Sequence, residues 1–321
     1  MNEAKAPQSN SIKTRKAKLR KIDTKPRSEI DVINCSIRLI YDSTSQIKRH
    51  FNEEPVLKLW LDTYCNYMAN DHWMGGTFGS KRALECATGG LLDNVPLIKE
   101  ERRKAEKLDV QVLFPTWEQD IAGAFPDVSV FLAGDPQAMR RMANQVSDTR
   151  PIRIFVGMAS SYTFSAEQLA KRGALISALA LQLSKTRTVD IYAINSGEKK
   201  FSKGALAGQT FDWSVMVKMP KPVSASDLSY WLCHQASVRG LLYSVERAFS
   251  GPLSWPSSLG RFAEYHSPEG IKAHARIWGA GEGDIVVPFP VATDLAQAEI
   301  IAKPEAWLKN TLQRVNAIAQ G

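Results

Sequence analysis

The segment IRIFVGM (Ile152–Met158), then Ser165 to Ser184, then VDIYAI (Val189–Ile194), decides how this chain folds. The first and last pieces are short, rich in β-branched and aromatic residues, and read as buried strands. Between them, Ser165 and Gln168 have the spacing of a capping box, in which each side chain satisfies a backbone N–H of the other. Leu169, Leu175, Ile176, Leu179, Leu181 and Leu183 follow. They are apolar around much of the helix circumference, so this helix is expected to be buried. Strand, helix, strand in that order is a βαβ unit with a right-handed crossover.

Reading onward, FDWSVMVKM (211–219) is a further strand, and Ala225 to Phe249 has helical spacing. AHARIW (273–278) and DIVVPFP (284–290) read as two strands joined by a flexible hairpin, Gly279 to Gly283, and Pro304 to Ala319 as a closing helix. Reading backward, Ile33 to Tyr41 alternates as a strand, and Val56, Leu57, Trp60, Leu61, Tyr64, Cys65 and Met68 follow helical spacing after Pro55. Ser80 opens a short helix that Gly89-Gly90 ends. Residues 97–109 form a solvated, charge-dense helix, and loops follow to about Arg150. The expected class is therefore α/β: an open, mostly parallel sheet, Rossmann-like or von Willebrand A-like. The expected parts are a disordered basic tail (1–29), an N-terminal α+β region (30–150) and an α/β sheet domain (151–321).

With 321 residues, 44% hydrophobic, the chain can bury a sizeable core. No run approaches 18 apolar residues and no apolar leader opens the chain, so neither a membrane span nor a secretory signal is expected. Cys35, Cys65, Cys86 and Cys233 form no CxxC pair. That argues against structural zinc and a disulfide framework, and for a reducing cytoplasm.

The formal charge of +8 is unevenly placed. Lys5, Lys13, Arg15, Lys16, Lys18, Arg20, Lys21, Lys25 and Arg27 face only Glu3, Asp23 and Glu29 within residues 1–29, which therefore carry +6. Ile12, Leu19 and Ile22 are the only large aliphatics there, too few to offset the entropy of ordering. Such a segment binds polyanions, or else only solubilises. If about six of its cations contact single-strand phosphates, log K falls with log salt at a slope near −4, a few hundred-fold between roughly 50 and 200 mM.

In the body, Lys199, Lys200, Phe201 and Lys203 read as a basic-aromatic loop, followed by Trp213, Lys218 and Lys221. Phe201 or Trp213 stacking on bases while lysines track phosphate would make a single-strand platform. The alternative is a solvated loop with Trp213 in the core. Arg150, Arg153, Lys171 and Arg172 form a second basic group, Arg172 being equally suited to a structural ion pair. Trp73 beside Gly75-Gly76 either packs over a glycine turn or stacks.

Catalytic signals are thin. Met158-Ala159-Ser160-Ser161-Tyr162 stands where an A domain carries its Asp-x-Ser-x-Ser metal loop, with Met158 in place of the Asp and Tyr162 in place of the last Ser. Metal is therefore not expected, nor is any other cofactor. Gly279, Gly281 and Gly283 lead into a strand and make no dinucleotide fingerprint. Ser160, Ser161, Asp190 and His234 compose a triad only on paper, without a GxSxG elbow. His234, next to Cys233, reads as a core histidine. No enzymatic activity is expected.

Three stretches carry a resemblance: Trp73–Gly90, Phe131–Pro136 and Ala170–Leu183. With W-x-G-G, F-L-A-G-D-P and A-K-R-G-A-L-I-S-A-L-A-L, the chain resembles a family of phage-encoded proteins with no assigned chemistry. In size, basicity and lack of a recognised single-strand-binding fold, it also looks like the single-stranded-DNA-binding RNA polymerase cofactors of lytic podoviruses. That resemblance implies a transcription cofactor that holds melted promoter DNA and recruits a phage RNA polymerase in the host cytoplasm. It assigns no binding residues. The residues expected to bind DNA are Lys13, Arg15, Lys16, Lys18, Arg20, Lys21, Lys25, Arg27, Lys199, Lys200, Phe201, Lys203, Trp213 and Arg172. A homo-oligomer is one further expected partner, and the competing reading is a protein-interaction scaffold with a degenerate A-like domain.

Overall fold

A computed structural model describes residues 25–31, 36–67, 78–107, 117–122, 125–142, 151–159, 164–185, 187–200, 210–249, 268–289, 300 and 303–320. In chain order, the first half runs β1 (Arg27–Asp31), β2 (Ser36–Tyr41), α1 (Thr44–Glu53), α2 (Pro55–Tyr67), α3 (Ser80–Gly89) and α4 (Val95–Lys107). A small unit follows: β3 (Trp117–Asp120), β4 (Phe125–Pro126), α5 (Val128–Leu132) and β5 (Met139–Met142). The second half holds β6 (Ile152–Gly157), α6 (Ala166–Leu183), β7 (Val189–Lys200), β8 (Thr210–Lys218) and α7 (Ala225–Cys233). A π-helix (Ala236–Leu242), α8 (Tyr243–Phe249), α9 (Pro268–Trp278), β9 (Ile285–Val287) and α10 (Pro304–Gln320) complete it.

Six strands form one sheet in the order β1-β2-β8-β7-β6-β9. The pairs β2–β8, β6–β7 and β6–β9 are parallel, while β1–β2 and β7–β8 are antiparallel. The α/β class and a mostly parallel sheet are thus as expected. The βαβ unit is present, with Ile152 opposite Val189 and Gly157 opposite Ile194. Both halves of the α6 capping box form: Ser165 Oγ accepts from the Gln168 N–H at 3.2 Å, and Gln168 Oε1 from the Ser165 N–H at 3.0 Å.

Adjacent residues of one strand identify what covers each face, because side chains alternate. On β7, the Asn195 amide donates to Glu246 Oε2 on α8 at 3.1 Å. Its neighbour Ser196 accepts from the Trp278 indole N–H on α9, also at 3.1 Å. The α8 side and the α9 side are therefore opposite faces, and α9 packs against β8 and β2. On the helical side α6 lies against α4 and α7, and the Trp231 indole ties α7 to α3 by donating to the Ala87 carbonyl.

Several expectations change. The stretch expected as loops up to about Arg150 holds β3, β4, α5 and β5. The sheet ignores a boundary at residue 150, since β2 pairs with β8 along its whole length and β1 begins inside the expected tail. AHARIW is the end of α9, not a strand. Pro268 sits at its first position, where a missing N–H costs nothing. Its small alanines imitate a two-residue alternation, but Trp278 is buried against Phe289, ring centroids 5.4 Å apart. The glycine run is accordingly not a hairpin. Gly279, at φ +76, ends α9 as the Ala280 N–H returns to the Ala275 carbonyl and the Gly279 N–H to that of Arg276. Finally, the helix expected from Ala225 to Phe249 breaks at His234, which is extended (φ −108, ψ 132), and resumes as a π-helix.

Candidate nucleic-acid interface

Two expected DNA contacts are removed by burial. Trp213 is 6% exposed, and it stands opposite Gly197 on β7 with its indole over that residue's backbone. A Cβ at Gly197 would lie 2.7 Å from the ring, so the missing side chain is what seats the indole. No ring face is left for a base. Arg172 is 3% exposed and donates through Nη2 to the Gly157 carbonyl at 3.0 Å and the Pro288 carbonyl at 2.6 Å. It closes the carboxyl ends of β6 and β9, and burial pulls its pKa down to about 9. In sequence, Arg172 differs from a surface arginine only by its place among apolar neighbours.

Other expected contacts are placed differently. Lys199 and Lys200 belong to β7, paired with Phe211 and Thr210, rather than to a loop. Lys25 lies 3.6 Å from Glu54, and its carbonyl accepts from the Gln46 amide on α1. Arg27 reaches Glu29 at 2.6 Å and Asp42 at 3.7 Å. The second basic group is likewise engaged, Arg153 holding Asp284 with two bonds and Lys171 holding Glu167. Lys13, Arg15, Lys16, Lys18, Arg20, Lys21, Phe201, Lys203, Arg150 and Trp73 lie outside the described residues.

One grouping was missed in the sequence. Cross-strand register places Phe155, Tyr192 and Lys218 side by side on β6, β7 and β8. The Phe155 and Tyr192 rings are stacked, 5.0 Å apart and 9° from parallel, and Lys218 Nζ is 5.7 Å from the Tyr192 ring. Lys218 and Lys221 both hold Asp190, at 3.0 and 2.5 Å. Burial opposes the charged form of Asp190, but the Lys221 and Lys218 ammoniums together hold its pKa below the ordinary value. Three cations, Arg153, Lys218 and Lys221, thus meet two carboxylates beside a half-buried tyrosine. Lysines on a sheet face with an aromatic suit a strand of nucleic acid. Only the register of β7 against β8 could have revealed this, because residues 192 and 218 are far apart in the chain.

Of the residues of the paper triad, Ser160 and Ser161 lie outside the described residues, and Asp190 is committed to its lysines. His234 Nδ1 accepts from the Ala236 N–H at 3.1 Å, and its ring packs 4.2 Å from Phe78. His234 lines a cleft of about 370 Å³ with Asp93, Asn94, Glu167, Lys171 and Gln235. Among the described residues, no group of three or more His, Cys, Asp or Glu is placed to hold a metal. No helix among them is long and apolar enough to cross a membrane.

A buried carboxyl and a half-buried imidazole set an expected pH profile. Burial pushes the Glu246 carboxyl up to about 7, against the hydrogen bond from Asn195 and the charge of Arg247. It pulls the His234 imidazole down to about 4. Folded Glu246 keeps a proton that the unfolded chain has lost, so its contribution is full below pH ~4.5 and is lost as pH rises through about 7. His234 runs the other way: its contribution is present above pH ~6.5 and lost as pH falls through about 4. Each is worth roughly 3 kcal/mol, so the slopes nearly cancel between pH ~4.5 and ~6.5. Glu246→Gln is expected to unmask the histidine: urea midpoints of the variant rise across that window and exceed those of the parent at pH 8. A variant profile parallel to the parent's would contradict this.

The chain belongs to the family described as Domain of unknown function (DUF7192), which matches residues 30–288. No curated protein and no solved structure matches it.

Proposed function

We propose that this protein is a non-enzymatic, single-stranded-DNA-binding protein. In this reading it acts as a phage transcription cofactor in the host cytoplasm and recruits a phage RNA polymerase to melted promoters. The observation that carries the DNA reading is the segregation of charge. Residues 1–24 hold seven basic and two acidic residues, a net +5, whereas Arg27, Arg153, Lys171, Lys218 and Lys221 are engaged with carboxylates. Polyphosphate attraction therefore falls mainly to residues 1–24, by counterion release. The Tyr192 face supplies the strand contact. The transcription role rests on the resemblance to phage cofactors alone.

A gel-shift panel of single- and double-stranded DNA and RNA is the test. Single-stranded DNA is expected to bind tightest, and Tyr192→Ala to weaken it roughly tenfold while leaving duplex binding unchanged. Equal binding of all four forms would contradict the strand preference. A second reading, the protein-interaction scaffold, is favoured by the exposed apolar surface on the small sheet. A stable protein complex captured from infected cells, with weak and unselective DNA binding, would support it instead.

A further inference from the structure

The small sheet, ordered β3-β5-β4, has its principal contacts among its own strands. It and α5 expose Ile121, Phe125, Val128, Phe131 and Leu132, each between 59 and 77%. Monomeric proteins scatter such residues singly, and a contiguous group marks a docking surface. Its rim is acidic. Asp120 precedes Ile121, Asp127 caps α5 and is held by Arg140, and Asp135 follows the helix. With Glu118 and Arg141 included, residues 117–142 set four carboxylates against two guanidiniums, and this asks for an occupant with aliphatic anchors and surplus positive charge.

The chain itself contains that chemistry. Residues 12–22, IKTRKAKLRKI, place Ile12, Leu19 and Ile22 among six cations: Lys13, Arg15, Lys16, Lys18, Arg20 and Lys21. Leu19 lies six residues before Lys25, whose carbonyl is fixed to Gln46 on α1, beside the edge of the large sheet. Six residues span at most ~20 Å. Among the described residues, no element of the large sheet is a principal neighbour of the small one. A second molecule meets no such limit. We propose that the apolar surface of the small sheet receives residues 12–22 of a second copy of this chain. Nucleic acid competes for the same cations, so DNA binding and self-association oppose one another.

The test is sedimentation of the full chain at low salt, with a peptide of residues 8–25 titrated into protein lacking residues 1–24. Full-length protein is expected to dimerise, and the shortened protein to stay monomeric and bind the peptide. Phe131→Asp and Leu132→Asp, both on exposed positions, abolish peptide binding and dimerisation. Lys18→Glu with Lys21→Glu does the same from the other partner, and oligothymidylate dissolves the dimer. A shortened protein that still dimerises through Phe131 would replace the proposal with a surface that pairs with itself. A peptide that does not bind, or a full chain that stays monomeric, would overturn it. The oligothymidylate arm rests on the proposed DNA binding; the peptide, dimerisation and substitution outcomes do not depend on it, and the gel shift reads DNA binding separately.

Discussion

Gly173→Ala is expected to destabilise the fold by roughly 3 kcal/mol or more, the largest loss among Gly→Ala changes at the described glycines. Gly173 lies on α6 where that helix crosses the end of α7. A Cβ there would stand 2.0 Å from the Leu232 carbonyl oxygen, 2.5 Å from its carbon and 2.9 Å from Cys233 Cα. All three are backbone atoms, so no side-chain rotation relieves the clash and the helices must part. Parting them disturbs Trp231, whose indole holds α3, and the His234 break that leads into the π-helix. Gly89→Ala is the control. It closes α3, meets nothing within 4 Å, and is expected to be neutral or to stabilise by about 0.4–1 kcal/mol. Urea denaturation of both variants checks the pair. Equal midpoints would mean that α6 and α7 do not pack this closely.

The parts of the fold legible in the sequence are those written in local chemistry. Ser165 and Gln168 announce the start of α6, and the β-branched run at residues 152–157 announces β6. What was hidden depends on partners distant in the chain. Nothing local shows that Trp213 will lie over Gly197, because that needs the β7–β8 register. Arg172 reads as a cation until Gly157 and Pro288 offer it their carbonyls. AHARIW misleads because alanine fits either period, and only the packing of Trp278 decides between them. The candidate site follows the same rule. The concentration of positive charge in residues 1–24 is visible in composition, whereas the Tyr192 grouping exists only after three strands align.

The second large effect belongs to residues 1–24. β1 starts at Arg27 and the Lys25 carbonyl is bonded to α1, so a chain beginning at Lys25 keeps the sheet intact while losing a net +5. Every phosphate left without its cation takes about 0.7 from the salt slope on single strands. The most direct measurement is the affinity for a short oligothymidylate, followed from roughly 50 to 200 mM salt, for the full chain and for the chain beginning at Lys25. The full chain is expected to lose at least about a hundredfold across that range, with a slope of about −3.5 to −5, and the shortened chain less than about tenfold. Identical affinities and slopes for the two proteins, or a full chain that ignores the oligonucleotide at the lowest salt, would contradict the account.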